Sequence, residues 1–98
     1  MPTYIQLVNF TEEGTENIEE GPERLDAAKE VMRSFGGEME AFYLTMGRYD
    51  AVVVSEFPDD ESIAQGTLTY LQEGTVETET LRAFTEDEYR HLVEAATG

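Results

Sequence analysis

Apolar and polar residues repeat with two different periods along this chain. Residues 3–10, TYIQLVNF, are rich in β-branched and aromatic side chains and read as a strand, with Ile5 and Leu7 on one face and Tyr4, Val8 and Phe10 on the other. Thr11 can cap a helix, and Glu12 and Glu13 suit its first turn because carboxylates oppose the positive end of the helix dipole. Gly21-Pro22 is predicted to break this helix, with Pro22 at the start of a second piece. There the period becomes helical. Leu25, Ala28, Met32 and Phe35 form an apolar stripe opposite Glu23, Asp26, Glu30 and Arg33, and Gly36-Gly37 ends it. Residues 38–46 and 51–57 are predicted as the second and third strands. Pro58-Asp59-Asp60 opens a helix to about Glu73, with Ile63, Ala64, Leu68 and Leu71 on its apolar side. Residues 75–84 read as the fourth strand, and Thr85 with Glu88 as the capping box of a last helix lined by Tyr89, Leu92, Val93 and Ala96. The pattern predicts an α+β fold: a ferredoxin-like β-α-β-β-α-β antiparallel sheet with an added C-terminal helix, in a single domain over residues 1–98.

Such a sheet carries helices on one face, so its other face would ordinarily be polar. Here Val52, Val53 and Val54 are consecutive, so both faces of the third strand are apolar. The second strand sets Phe42, Leu44 and Met46 against Met39, Ala41 and Tyr43. Something must cover the second face. A second copy of the chain, packed sheet to sheet as a homodimer, is the simplest cover, and the C-terminal helix is the alternative. The second and fourth strands, expected at the sheet edges, carry Glu38, Glu40, Glu77 and Glu79, which discourage further pairing.

Charge adds to this picture. The 98 residues include 22 acidic and 6 basic side chains, a net charge of −16, with Lys29 the one lysine. Nucleic acid and anionic membrane are thereby disfavoured as partners. With 40% hydrophobic residues in clear periods, disorder does not account for the charge. The balance suits a halophile protein, because at about 1 M salt the screening length falls to roughly 3 Å. Cysteine is absent, which removes disulfides and thiolate chemistry. No apolar run reaches the roughly 18 residues of a membrane span, and the first ten residues lack the basic and apolar regions of a signal peptide, so a cytoplasmic location is expected.

The candidate chemistry centres on the turn Gly47-Arg48-Tyr49-Asp50. Read structurally, Gly47 supplies a positive φ, Asp50 accepts from turn amides, and Arg48 is an exposed tip. Read functionally, Arg48, Tyr49 and Asp50 form a polar wall at one end of a barrel cavity. A second grouping is Tyr43 and Thr45, on one face of the second strand, with Arg82 of the fourth, which suits an anionic ligand or a partner's Glu79. His91 is predicted to face solvent, and Met32, Met39 and Met46 to fill the core. No metal-ligand spacing, phosphate loop or nucleophile elbow appears, so no metal or cofactor is expected.

The segments YIQLVNFTEEG, ERLDAAKEVMRSFGGEMEAFYLTMGRYDAVVVSEFPDDE and VETETLRAFTEDEYR closely resemble the GYD domain family, named for the turn that here reads Gly47-Arg48-Tyr49-Asp50. The resemblance implies a ferredoxin-like domain of the dimeric α/β-barrel type, and it brings no catalytic residues, because the family's molecular function is not established. Residues 65–74, QGTLTYLQEG, depart from the plainer alanine- and leucine-rich helix of similar proteins. If that helix lines a pocket, Thr67, Thr69 and Tyr70 alter what it binds. Two functional classes follow: a homo-oligomeric module that binds a small molecule or stabilises an assembly, and a cofactor-independent enzyme of oxygenase or isomerase type. The charge generates a first expectation. The thermal midpoint is expected to rise from dilute buffer to concentrated potassium chloride, and equal midpoints in the two melts contradict the salt-adapted reading.

Overall fold

The computed structural model describes residues 1–98. The elements are β1 (Thr3–Phe10), α1 (Glu12–Glu16), a 3-10 turn (Ile18–Glu20), α2 (Gly21–Ser34), β2 (Glu38–Leu44), β3 (Ala51–Glu56), α3 (Asp60–Leu71), β4 (Val76–Ala83) and α4 (Glu86–Thr97). Side-chain caps start three of the helices. Thr11 accepts from the Gly14 amide, Asp59 from Ser62, and Thr85 with Glu88 makes the reciprocal box. The first helix ends at Asn17, before the predicted break, and Pro22 lies in the first turn of α2. The second strand stops at Leu44 instead of residue 46.

The four strands pair antiparallel in the order β2-β3-β1-β4, the ferredoxin-like arrangement, with β2 and β4 at the edges. The register decides which residues meet the helices. Tyr4, Gln6 and Val8 of β1 are buried on that side, as are Ala51, Val53 and Ser55 of β3. Val52 and Val54 therefore take the opposite, open face, beside Ile5 and Leu7. A register shift between Met39 and Ala41 corrects the parity expected for β2. Met39 pairs with Ser55, so it joins Phe42 and Leu44 on the helix side, while Ala41 and Tyr43 take the open face. Met46 is also corrected: it is 99% exposed at the hairpin tip.

The core is small: Tyr4, Val8, Met32, Ala51, Val53, Phe57 and Ile63. Gly37 is required by this packing, since any Cβ there would overlap the Phe57 ring. The α2 stripe behaves as the period predicts, with Met32 buried and Phe35 packed on the core. α3 does not. Ile63 and Gly66 are its buried residues and Leu68 is 64% exposed, so the inward stripe is Ile63, Gly66, Thr67 and Tyr70. The hydroxyl of Ser55 is enclosed without a partner, a small cost built into β3.

α4 makes no extensive contact with the rest of the chain and buries none of its residues. Its projection gives extents of 53 × 31 × 17 Å and a radius of gyration of 14.9 Å, against about 13 Å for a compact chain of this size. The C-terminal helix is therefore not the cover for the open sheet face.

Tyr4 ties this core to α3. Its ring meets Phe57 edge to face at 6.3 Å between centroids, and its hydroxyl donates to Asp60 Oδ1. Burial, reinforced by the Asp60 bond and charge, pushes its phenol up to about 12. A phenol raised in the fold above its unfolded value of about 10 stabilises the fold fully below that value and loses the contribution as pH rises from there to about 12. Urea unfolding across that window is expected to show falling stability, with a smaller fall in Tyr4→Phe. Equal falls in the two proteins would assign the alkaline loss elsewhere.

Candidate functional site

The hairpin between β2 and β3 uses most of its polar groups internally. Gly47 has φ of 108°, a left-handed backbone that side chains resist, with open space where a Cβ would sit. The Thr45 amide donates to Asp50 O at 2.9 Å, and its hydroxyl donates to Tyr49 O at 2.7 Å. The Asp50 amide donates to Val8 O at 2.8 Å, while its carboxylate accepts from the Phe10 amide at 2.8 Å. Asp50 thus fastens the end of β1, not the turn amides expected from its position. The Tyr49 hydroxyl donates to Glu79 Oε1 at 3.2 Å. Because β1 lies between β3 and β4, that bond spans β1 on the open face. Arg48 is exposed, its guanidinium carbon 6.0 Å from the Tyr49 ring centroid.

The other grouping is not assembled. Tyr43 lies on the open face of one edge strand. Arg82 pairs with Tyr4 on the helix side of the other edge strand. Its guanidinium stacks on Phe84 at 4.4 Å and lies 5.7 Å from the Tyr4 ring. Glu79 is on the opposite face from Arg82, so the two do not present one surface. His91 is exposed on α4.

The open face has an apolar centre and a charged rim. Ile5, Leu7, Val52 and Val54 occupy the middle strands, with Ala41, Tyr43 and Leu81 beside them. Glu38 and Glu56 pair at one end. The neighbouring Glu40 carboxyl is held above its ordinary range, first by a hydrogen bond with Glu56 and then by that residue's charge.

The helix side holds a half-open cavity of about 400 Å³ between α2, the sheet and the end of α3. Leu25, Ala28 and Met32 line it from α2, and Val8, Phe42 and Val53 from the sheet, while Ile18 and Leu44 stand exposed at its rim. Its polar end is Gln6, 1% exposed. The Gln6 amide nitrogen donates to Thr67 Oγ1 at 2.9 Å and Thr80 Oγ1 at 3.0 Å, and its oxygen accepts from the Tyr70 hydroxyl at 2.6 Å. Burial raises the Tyr70 phenol, which therefore remains a neutral donor at ordinary pH. A more open cleft of about 490 Å³ lies between α3 and β4, lined by Tyr4, Asp60, Thr67 and Arg82.

Sequence reasoning missed Gln6 as a site residue. The available signal was its parity, a polar residue between Tyr4 and Val8 on the face that should be apolar. Of the α3 residues singled out by their departure from a plain helix, Tyr70 lines the cavity and Thr67 lines the cleft, while Thr69 is exposed and bonds Gln65 O.

Residues 4–93 match the GYD domain. A relative from Thermus thermophilus, named glutamine synthetase and cystathionine beta-lyase binding protein, is 38% identical over 84 residues, 85% of this chain and 88% of the relative. The crystal structure of TTHA0845 from Thermus thermophilus is similar with a TM-score of 0.55 and 26% identity, over 87% of this chain and 95% of that one.

The hairpin geometry sets out the effects of substitution. Asp50→Ala is expected to cost about 1.5–3 kcal/mol, since the bond at Phe10 is charge-assisted. Gly47→Val is expected to cost about 1–3 kcal/mol through backbone strain. Tyr49→Phe, losing one exposed bond, is expected to stay within about 1 kcal/mol. Urea unfolding of the three variants checks the order; a neutral Asp50→Ala contradicts the clamp.

Proposed function

The chain belongs to the GYD domain family, and from that premise we propose that it is a non-catalytic, self-associating protein-binding module. Two copies pair open face to open face, and the pair docks onto a larger protein. One observation carries this reading: the apolar centre of the sheet, Ile5, Leu7, Val52 and Val54, has no covering element of its own chain. Covering apolar area yields about 25 cal/mol per Å², which favours pairing once association costs are offset. The carboxylates at the rim leave the centre free of charge, as in ordinary interfaces. Mutual repulsion between two chains of charge −16 opposes the contact, so it tightens with salt in a salt-adapted protein.

The docking half of the proposal draws on the relative named for binding two enzymes. It is supported by apolar side chains away from the sheet centre: Met46 at the hairpin tip, and Tyr89, Leu92 and Val93 on the projecting α4. These remain available after the sheets pair.

Light scattering in concentrated potassium chloride tests the pairing. The native chain is expected to double in mass as concentration rises. Val52→Asp is expected to stay folded with its dissociation constant raised about thirtyfold or more, a loss of hot-spot size. Val53→Asp, on the buried face, is expected to unfold. A native chain that stays monomeric at every concentration overturns the proposal. Sedimentation with glutamine synthetase or cystathionine beta-lyase from the same organism tests docking, and the absence of co-sedimentation with both overturns that half.

A further inference from the structure

The helix side of the sheet carries a cavity separate from the pairing face. We propose that the cavity beneath α2 takes an uncharged, mostly apolar small molecule bearing a single hydroxyl, whose O–H donates to Gln6. The walls supply the first part of this chemistry. Val8, Ala28, Phe42 and Val53 offer no charge and few polar atoms, and the space of about 400 Å³ is of small-ligand size.

The polar end supplies the second part. Both hydrogens of the Gln6 amide are already donated, to Thr67 and Thr80, and the Tyr70 hydroxyl is donated to Gln6. With these donors committed, the Gln6 oxygen retains one of its two acceptor positions. A ligand hydroxyl at this end therefore gains by donating, which selects an alcohol or phenol over a hydrocarbon. Anionic ligands are disfavoured. The one cation in the lining is Arg24, whose Nη1 and Nη2 donate to Asn17 O at 2.9 Å and Gly14 O at 3.1 Å. Glu73 lines the same space, and the chain as a whole is strongly acidic. Pairing through the open face leaves this cavity on the far side of the sheet, so the site operates in monomer and dimer alike.

Three probes of one shape separate the terms: 2-naphthol, naphthalene and 2-naphthoate, titrated into the isotopically labelled full chain and followed by amide chemical shifts. 2-Naphthol is expected to saturate, with the largest shifts at Val8, Ala28 and Val53. It is expected to bind about tenfold tighter than naphthalene, the value of one hydrogen bond, and 2-naphthoate is expected to bind weakest. Ala28→Phe fills the space from α2 and is expected to abolish the saturation. The native shift map stands by itself if that variant does not fold. No saturation by 2-naphthol, or shifts centred on Tyr43 and Val52, overturns the site. Equal affinity for naphthalene overturns the hydroxyl, and tightest binding of 2-naphthoate overturns the uncharged class.

Discussion

A four-stranded sheet has two faces, and the helices that pack in this chain cover one. α2 and α3 lie on the side of Tyr4, Gln6, Val8, Ala51, Val53 and Ser55, and α4 projects away. Most other features are consequences. The buried core is confined to a thin layer, the opposite face leaves Ile5, Leu7, Val52 and Val54 half-buried, and the molecule is only 17 Å through its shortest axis. A chain of this size gains limited stability from its own interior. Association through the uncovered face, as proposed, would add burial that the fold alone does not provide.

The helix-side layer is itself incompletely filled. α3 turns Thr67 and Tyr70 inward, towards the buried amide of Gln6, instead of the apolar Leu68. A buried amide without partners is costly, so the orientation of α3 is coupled to satisfying Gln6. The same choice leaves apolar volume under α2 unoccupied. The polar network thus trades close packing for a defined space with the Gln6 amide at its end.

Charge is arranged around these surfaces without holding them together. The ion pairs, Arg24–Glu20, Arg33–Glu30, Arg33–Glu38 and Arg90–Glu86, join exposed carboxylates to the few cations and contribute little each. Most of the 22 acids stay unpaired, and the edge-strand carboxylates, including the paired Glu38, frame the open face. Surface carboxylates favour solubility, and the middle of the open face, Ile5, Leu7, Val52 and Val54, carries no charge.

Local pattern was enough for the elements and their order. Helical spacing marked α2, Thr85 with Glu88 marked the start of α4, and Val52-Val53-Val54 announced a sheet apolar on both faces. Each is a short-range signal, written in propensity and periodicity. Register was not legible, because the bulge between Met39 and Ala41 reverses a parity that the sequence cannot count across. Nor was the rotation of α3, since its apolar stripe and its Thr67–Tyr70 stripe are both helical in period, and only the distant Gln6 decides between them. Candidate residues split on the same line. Gly47 was readable from the turn itself, whereas the bond from Asp50 to Phe10 joins residues far apart in the chain. Tyr43 and Arg82 looked combinable along the sequence, yet strand order places them on opposite edges and faces. Periodicity determined which side chains share an element, and strand pairing over long separations alone decided which of them meet.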